Sequence, residues 1–287
     1  MSQQGAFWKK PVSRRKFLFG IGVAGISFGS YAKFVEPTWL EIGRHEIKLS
    51  SRSNQTPLKI LHLSDLHASF FVDLEFIAKA ISLGLSLKPD LICVTGDFVT
   101  SRYDEFEPYA KILAQLPAAA PTFASLGNHD GGRWATTYGG YKTTEAVQKL
   151  LQQSKIPLLL NRAETIRVQN WNLNLVGLGD LWAGDFQTET AFGKTSPTDA
   201  TIVLSHNPDT KEALKNHSWQ IMLSGHTHGG QFRMPLIGAP FAPVDDKRFI
   251  AGLYSWENRW LHITKGIGNV HGLRFNCRPE VSLLTLV

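Results

Sequence analysis

Cysteine is almost missing from this chain. The two present, Cys93 and Cys277 among 287 residues, cannot build a disulfide framework, and no C-x-x-C spacing offers a sulfur metal site or a redox pair. Also missing is any apolar run of about 20 residues, the length a spanning helix needs. The longest uncharged stretch near the N-terminus, Phe17 to Ala32, falls short of it. No repeat and no Pro/Ser/Gly-rich linker divides the chain, so 43% hydrophobic and 19% charged residues predict one large globular domain. Acidic residues are absent from the first 32 positions, where Lys9, Lys10, Arg14, Arg15 and Lys16 stand alone. The remainder carries 25 basic against 24 acidic residues, so the net charge of +6 belongs to the tail. No polyanion-binding surface, and hence no nucleic-acid partner, is indicated.

The tail itself is informative. Ser13-Arg14-Arg15-Lys16-Phe17-Leu18 opens an uncharged, Gly-rich run and resembles a twin-arginine export signal. Residues 1–35 are read as such a signal or as a membrane anchor, 36–57 as a connecting segment, and 58–287 as the globular domain. Membrane association through the N-terminus, at the inner membrane or in the periplasm, is the expectation. The cytoplasmic face of the inner membrane is the alternative.

From Leu58 the pattern alternates between buried strand and amphipathic helix. Leu58 to Leu63 reads as a strand ending in Ser64-Asp65-Leu66-His67, followed by a helix over about Val72 to Leu87. Asp90 to Thr95 reads as a continuous apolar strand ending in Gly96-Asp97, with a helix over about Glu105 to Leu116. Thr122 to Leu126 ends in Gly127-Asn128-His129-Asp130. Gly131 to Tyr141 reads as a loop, Thr144 to Gln153 as a helix, and Pro157 to Leu160 as a strand. Two hairpin-like strands follow, then Ala200 to Leu204 ending in Ser205-His206. An apolar run from Trp219 to Leu223 leads into Gly225-His226-Thr227-His228-Gly229-Gly230. Residues 231–287 read as a second layer of sheet. The alternation predicts an α/β protein of βαβ units, a four-layer α/β/β/α sandwich, with ligand-competent residues beyond the carboxyl ends of its strands.

Seven such residues stand at strand ends: Asp65, His67, Asp97, Asn128, His206, His226 and His228. All offer nitrogen or oxygen, which excludes a cysteine-type structural zinc site and suits Mn, Zn or Fe. Seven are too many for one tetrahedral ion and fit two divalent cations, with Asp97 the natural bridge.

The ordered set D-x-H, G-D, G-N-H-D, a later lone histidine and G-H-T-H resembles the calcineurin-like metallophosphoesterase family, over nearly the whole chain from Leu58. The resemblance implies one metal on Asp65, His67 and His228, another on Asn128, His206 and His226, and Asp97 shared between them. It implies a binuclear phosphodiesterase in which a hydroxide bridging the cations attacks phosphorus. His129 would face the leaving group as proton donor, with Asp130 orienting its imidazole. The substrate would be a phosphodiester, small or lipid. The alternative within the same family is a pyrophosphatase cutting UDP-diacylglucosamine.

Bland readings compete at other positions. A lone histidine at a strand end is usually structural, but five of the ten fall inside the motif blocks. His45, His62, His217, His262 and His271 have no such context and are read as structural. Asp180, Trp182 and Gly184 read better as turn and packing than as pocket. Arg133, Arg233, Lys247, Arg248, Arg274 and Arg278 read as solvated charges before they read as anchors for a second phosphate. Phe70, Phe71 and Trp134, beside the metal loops, read as rim packing before they read as contacts for a lipid or aryl group.

Overall fold

The computed structural model describes Arg15 and residues 28–49 and 56–287. The twin-arginine motif, Arg15 apart, and most of the apolar run after it lie outside the described residues. No helix among the described residues is long and apolar enough to cross a membrane.

Two sheets stack face to face. The first has the order β1-β11-β2-β3-β4, built from β1 (Glu41–Ile47), β2 (Leu58–Leu63), β3 (Leu91–Thr95), β4 (Thr122–Ser125) and β11 (Glu280–Leu286). The second has the order β5-β6-β7-β8-β10-β9, from β5 (Arg162–Val168), β6 (Trp171–Gly177), β7 (Ala200–Leu204), β8 (Ile221–Ser224), β9 (Gly252–Trp256) and β10 (Arg259–Ile263). Strands β2, β3 and β4 run parallel, as do β6, β7, β8 and β10.

The period of two along each strand decides which layer a side chain enters. In β2, Leu61 and Leu63 join the helix-side core while Leu58 and Ile60 face the other sheet; β3 repeats this with Ile92 and Val94 against Leu91 and Cys93. In β7 and β8, Ile202, Leu204, Ile221 and Leu223 point inward, while Val203 and Met222 join the outer cluster around Trp219. Helices α1 (Leu74–Ser86), α2 (Phe106–Leu113) and α5 (Glu145–Gln153) cover the first sheet. Asp73 caps α1, accepting the Phe76 amide at 2.7 Å. A short α3 (Gln115–Ala119) follows α2 after a break at Ala114, where Pro117 cannot bond back to Leu113. The second sheet has a thinner cover: α6 (Thr188–Phe192) and a 3₁₀ turn at Pro208–Glu212. The four layers expected from sequence are present.

Four local readings change. The segment 36–57 is not merely a connection, because β1 pairs with β11 from Glu41↔Glu280 to Ile47↔Leu286 and extends the first sheet. Within 231–287, β11 returns to the first sheet, antiparallel to β2, so only β9 and β10 build the second. Pro157 to Leu160 contributes a single bridge, Ala124↔Leu158. The loop 131–141 contains a short helix, α4 (Arg133–Thr137).

Candidate metal centre

All seven expected ligands converge beyond the carboxyl ends of β2, β3, β4, β7 and β8, and all are buried. Two histidines flank one oxygen of Asp97: Oδ2 lies 3.4 Å from His67 Nε2 and 3.1 Å from His206 Nε2. Asp65 Oδ1 is 3.3 Å from His228 Nε2, 3.9 Å from His206 Nε2 and 4.0 Å from His67 Nε2. Asp65, His67 and His228 form one group with metal-competent spacing, and Asp65, Asp97 and His206 another.

The backbone is bent to reach this arrangement. Asp65, His67, Asp97, His226 and His228 all have positive φ, between 49° and 68°. Non-glycine residues avoid that region at a cost of order 1–3 kcal/mol each, tolerated where the surroundings over-determine the conformation. Close packing supplies that constraint. A Cβ on Gly127 would fall 2.2 Å from Asp97 Oδ1, and one on Gly225 would fall 2.1 Å from Asp65 Oδ2. Glycine is required at both positions because the metal loops press on each other.

Hydrogen bonds fix what each ring presents. His206 Nδ1 donates to the Thr95 carbonyl at 2.7 Å, which aims Nε2 at Asp97 and makes it the ring nitrogen that a cation would take in place of a proton. His67 Nδ1 meets Thr100 Oγ1 at 3.1 Å, and its Nε2 stands 3.1 Å from His228 Nε2. The His226 amide donates to both Asp65 oxygens, at 3.1 and 3.2 Å. Asn128 Oδ1, His206 Nε2 and His226 Nε2 are buried without an aligned hydrogen-bond partner. Buried polar atoms are rarely left so, and these three are the donors that a cation would satisfy. The residues present therefore fit divalent metal binding.

The electrostatics point the same way. Burial pushes Asp65 up to about 6, against the pull of His206. Burial opposes the charge on Asp97 too, but His206 and His129 outweigh it and hold the carboxyl well below its usual range. Burial disfavours the charged forms of His67, His226 and His228, which keeps these rings neutral and metal-competent.

His129 lies where the sequence placed it. Its Nδ1 donates to the Thr100 carbonyl at 2.6 Å, and its ring packs edge-on against His67 and Trp134. The expected orienting contact from Asp130 is absent. Asp130 instead accepts three backbone amides, from Asp97 and Gly127 on Oδ2 (2.9 and 2.8 Å) and from Phe98 on Oδ1 (2.7 Å). Its carboxylate clips the Asp97 loop to the Asn128 loop, and the Thr100 carbonyl orients the imidazole. Burial, then the Asp97 charge, pushes Asp130 up to about 8.

The centre opens into a cavity of about 660 Å³ walled by Trp134, Tyr138, Trp182, Phe232, Phe241 and Leu273. Trp182, read from sequence as packing, stands edge-on to His226 with ring centroids 4.3 Å apart. The missed signal was its place after the carboxyl end of β6, in line with the other site loops. Asp180 was read correctly as a turn residue, accepting the Trp182 and Ala183 amides at 2.8 and 2.9 Å. His271 also lines the cavity, and no pattern in the sequence marks it. Arg274 is not a phosphate anchor, because its buried guanidinium donates to the carbonyls of Lys265, Gly266, Gly268 and Cys277. A further histidine group lies between the sheets: His62 and His262 Nδ1 atoms are 2.9 Å apart, with His45 beside them. Glu280 completes its metal-like spacing but is already held by Lys265 and Ser282.

The calcineurin-like phosphoesterase family model matches residues 58–230, which span the loops bearing all seven expected ligands. The chain belongs to that family. It is 43% identical over 279 residues to phosphodiesterase YaeI of Escherichia coli, covering 96% of this chain and 100% of that protein. It is 30% identical over 290 residues to the uncharacterized metallophosphoesterase YkuE of Bacillus subtilis, covering 96% and 98%. Over 303 residues it is 28% identical to UDP-2,3-diacylglucosamine pyrophosphatase LpxG of Chlamydia trachomatis, covering 88% and 91%. The chain is a metal-dependent phosphoric ester hydrolase.

Proposed function

We propose that this hydrolase is a phosphodiesterase working with two divalent cations. The observation that carries the reading is Asp97 Oδ2, set between His67 and His206, one histidine from each half of the ligand set. Asp65, His67 and His228 would hold one cation, Asn128, His206 and His226 the other, and Asp97 both. Mn, Zn and Fe all suit this nitrogen and oxygen set. Two bound cations would supply positive charge to the phosphate oxygens and acidify the attacking water.

The chain's own groups do the rest. Thr95 and Thr100 fix the tautomers of His206 and His129 through their carbonyls. His129 stands within metal-ligating distance of His67 and Asp97, and with Nδ1 committed to Thr100 its Nε2 is the nitrogen left to pass a proton to the departing oxygen. Trp134 and Trp182 keep an apolar wall beside it. That wall also favours a second reading, in which the site cuts the diphosphate of a lipid-linked nucleotide such as UDP-diacylglucosamine. For location, we propose the inner membrane or periplasm, on the strength of the Arg14-Arg15 start and the uncharged run behind it.

The test is a substrate panel run on purified protein reloaded with Mn, Zn or Fe: aryl phosphodiesters, monoesters, phospholipids and UDP-diacylglucosamine. Diester cleavage abolished by chelation and restored by metal is expected. Preferential cleavage of the diphosphate would select the second reading, and monoester cleavage alone would reject both.

A further inference from the structure

Loops beside the cavity carry a ring of large apolar side chains that point into solvent. A tight turn, Met234 to Gly238, is closed by two backbone hydrogen bonds, Met234 N to Gly238 O at 2.7 Å and Gly238 N to Met234 O at 2.9 Å. Its tip reads Pro235-Leu236-Ile237, with Leu236 fully exposed at φ 68° and Ile237 68% exposed. Turn tips in water normally carry Gly, Asn, Asp or Ser, and a leucine held at positive φ is costly there. Phe241, 79% exposed, follows on the same segment and lines the cavity. From Gln231 to Val244 the only charged residue is Arg233.

The ring continues on the neighbouring loops. Phe70 is 96% exposed and Phe71 more than half exposed, at the loop after Asp65-Leu66-His67. Phe71 touches Gly272, and the strip from Asn269 to Leu273 borders both the Phe70–Phe71 surface and the catalytic cavity. Phe34, with Lys33 beside its ring, lies against the Phe70–Phe71 side. Scattered surface apolar residues need no explanation, but several of them on the loops beside one site do.

A second observation says what covers it. Phe28 packs tilted against Phe275 with ring centroids 4.4 Å apart, and Phe275 pairs by a β-bridge with Phe232, which lines the cavity. The Arg274 amide donates to the Ala32 carbonyl at 2.9 Å, and the Cys277 amide bonds the buried Glu36 carboxylate. The far end of the uncharged run 17–32 is therefore fastened to the strand pair that launches the apolar turn. The described end of the run, residues 28–32, thus sits beside the apolar turn.

We propose that this ring docks on a lipid bilayer, seating Leu236, Ile237, Phe241, Phe70 and Phe71 at the acyl boundary so that the metal cavity opens onto the membrane. Arg233 and Lys33 flank the ring and suit anionic headgroups. The ligand class that follows is a phosphoester headgroup carried by an amphiphile. That last step rests on the phosphodiesterase reading, whereas the docking does not.

The test uses the full chain, in which Cys93 and Cys277 are buried, so an introduced surface cysteine can be labelled selectively. Ile237→Cys and, as a control on the β5 edge, Arg167→Cys carry an environment-sensitive fluorophore and meet vesicles of phosphatidylethanolamine and phosphatidylglycerol with lipid-borne quenchers. A blue shift and quenching at position 237, with neither at 167, is expected. No change at 237, or equal change at both, overturns the docking. A blue shift without vesicles that grows with protein concentration would assign the ring to a second copy and also overturn it. Leu236→Asp/Ile237→Asp should then cut turnover of a vesicle-borne phosphodiester at least tenfold and leave a soluble aryl diester unaffected; equal losses count against the proposal. Position-specific quenching without diesterase activity would retain the docking and reject the phosphodiesterase reading.

Discussion

Asp130 holds Asp97 by its backbone. The Asp130 carboxylate accepts the Asp97 amide at 2.9 Å, and the same oxygen accepts the Gly127 amide at 2.8 Å. Asp97 Oδ1 in turn accepts the His129 amide at 2.8 Å, so the two loops are laced in both directions. This is how Asp97 keeps φ 55° with its other oxygen aimed between His67 and His206.

Asp130→Asn should therefore act through metal affinity. Asparagine keeps the shape but presents an amide NH2, a donor, where one of the two oxygens accepted backbone N–H groups. Loss of such a supporting contact typically costs 10- to 100-fold in metal binding or activity. Raised metal concentration should recover most of the activity, as followed by metal titration of turnover. A loss that no metal concentration restores would return Asp130 to direct catalysis.

His129→Ala should behave differently. The ring is oriented by the Thr100 carbonyl, which leaves its second nitrogen uncommitted. Turnover of esters with poor leaving groups should fall by about 10²- to 10⁴-fold, the usual range for a general acid. Activated aryl esters should lose far less, and metal content should stay unchanged by elemental analysis. Equal losses across leaving groups would rule out proton donation.

Much of this was legible beforehand, for a physical reason. Parallel strands buried on both sides read as apolar runs, and each run ended in an aspartate, asparagine or histidine, three of them beside a glycine, so the seven residues that converge could be picked out from the sequence. What the sequence hid was pairing across long separations. Glu41–Ile47 carries an indistinct alternation, and only its partner β11, more than 230 residues away, makes it a strand. The Asp130 clip was hidden likewise, because adjacency to His129 in sequence suggested contact while the turn sends the two side chains to different partners. Trp182 was underweighted since aromatic residues after a strand are commonly core.

Asp97→Ala should remove the shared ligand and, with it, catalysis. Removing a buried carboxylate also leaves His206 Nε2 without its 3.1 Å neighbour, so some stability loss is expected alongside. Circular dichroism should show the fold retained while elemental analysis shows depleted metal. Full activity in this variant would reject the shared-ligand assignment.

Replacing Arg14 and Arg15 with lysine should strand the protein in the cytoplasm if the N-terminus is read as a twin-arginine signal. Cell fractionation with an antibody to the folded domain measures this. Unchanged membrane or periplasmic recovery would make the segment an anchor inserted by another route.

Acid should unfold the metal-free protein through its buried histidines, and His62 is the one to isolate. Burial, with a smaller push from His206, takes its pKa down from 6.5 to about 3. His62 lies between the sheets, sharing a proton with His262 at 2.9 Å and meeting Thr95 Oγ1 at 2.8 Å. Between those pH values the unfolded chain binds a proton at this position that the folded chain refuses. Stability is thus present above pH 6.5 and falls as the pH drops toward 3, by about 1.4 kcal/mol per pH unit for one proton. His262, His67, His226 and His228 shift in the same direction and steepen the loss, while His206 and the buried carboxyls of Asp65, Asp130 and Asp180, whose pKa values are raised, oppose it. Denaturant unfolding in chelator across pH 4–7 measures the total, and His62→Gln, which cannot titrate, should show a shallower slope than the parent over that range. Equal slopes would mean that His62 is charged in the folded state, contrary to its burial between the two sheets.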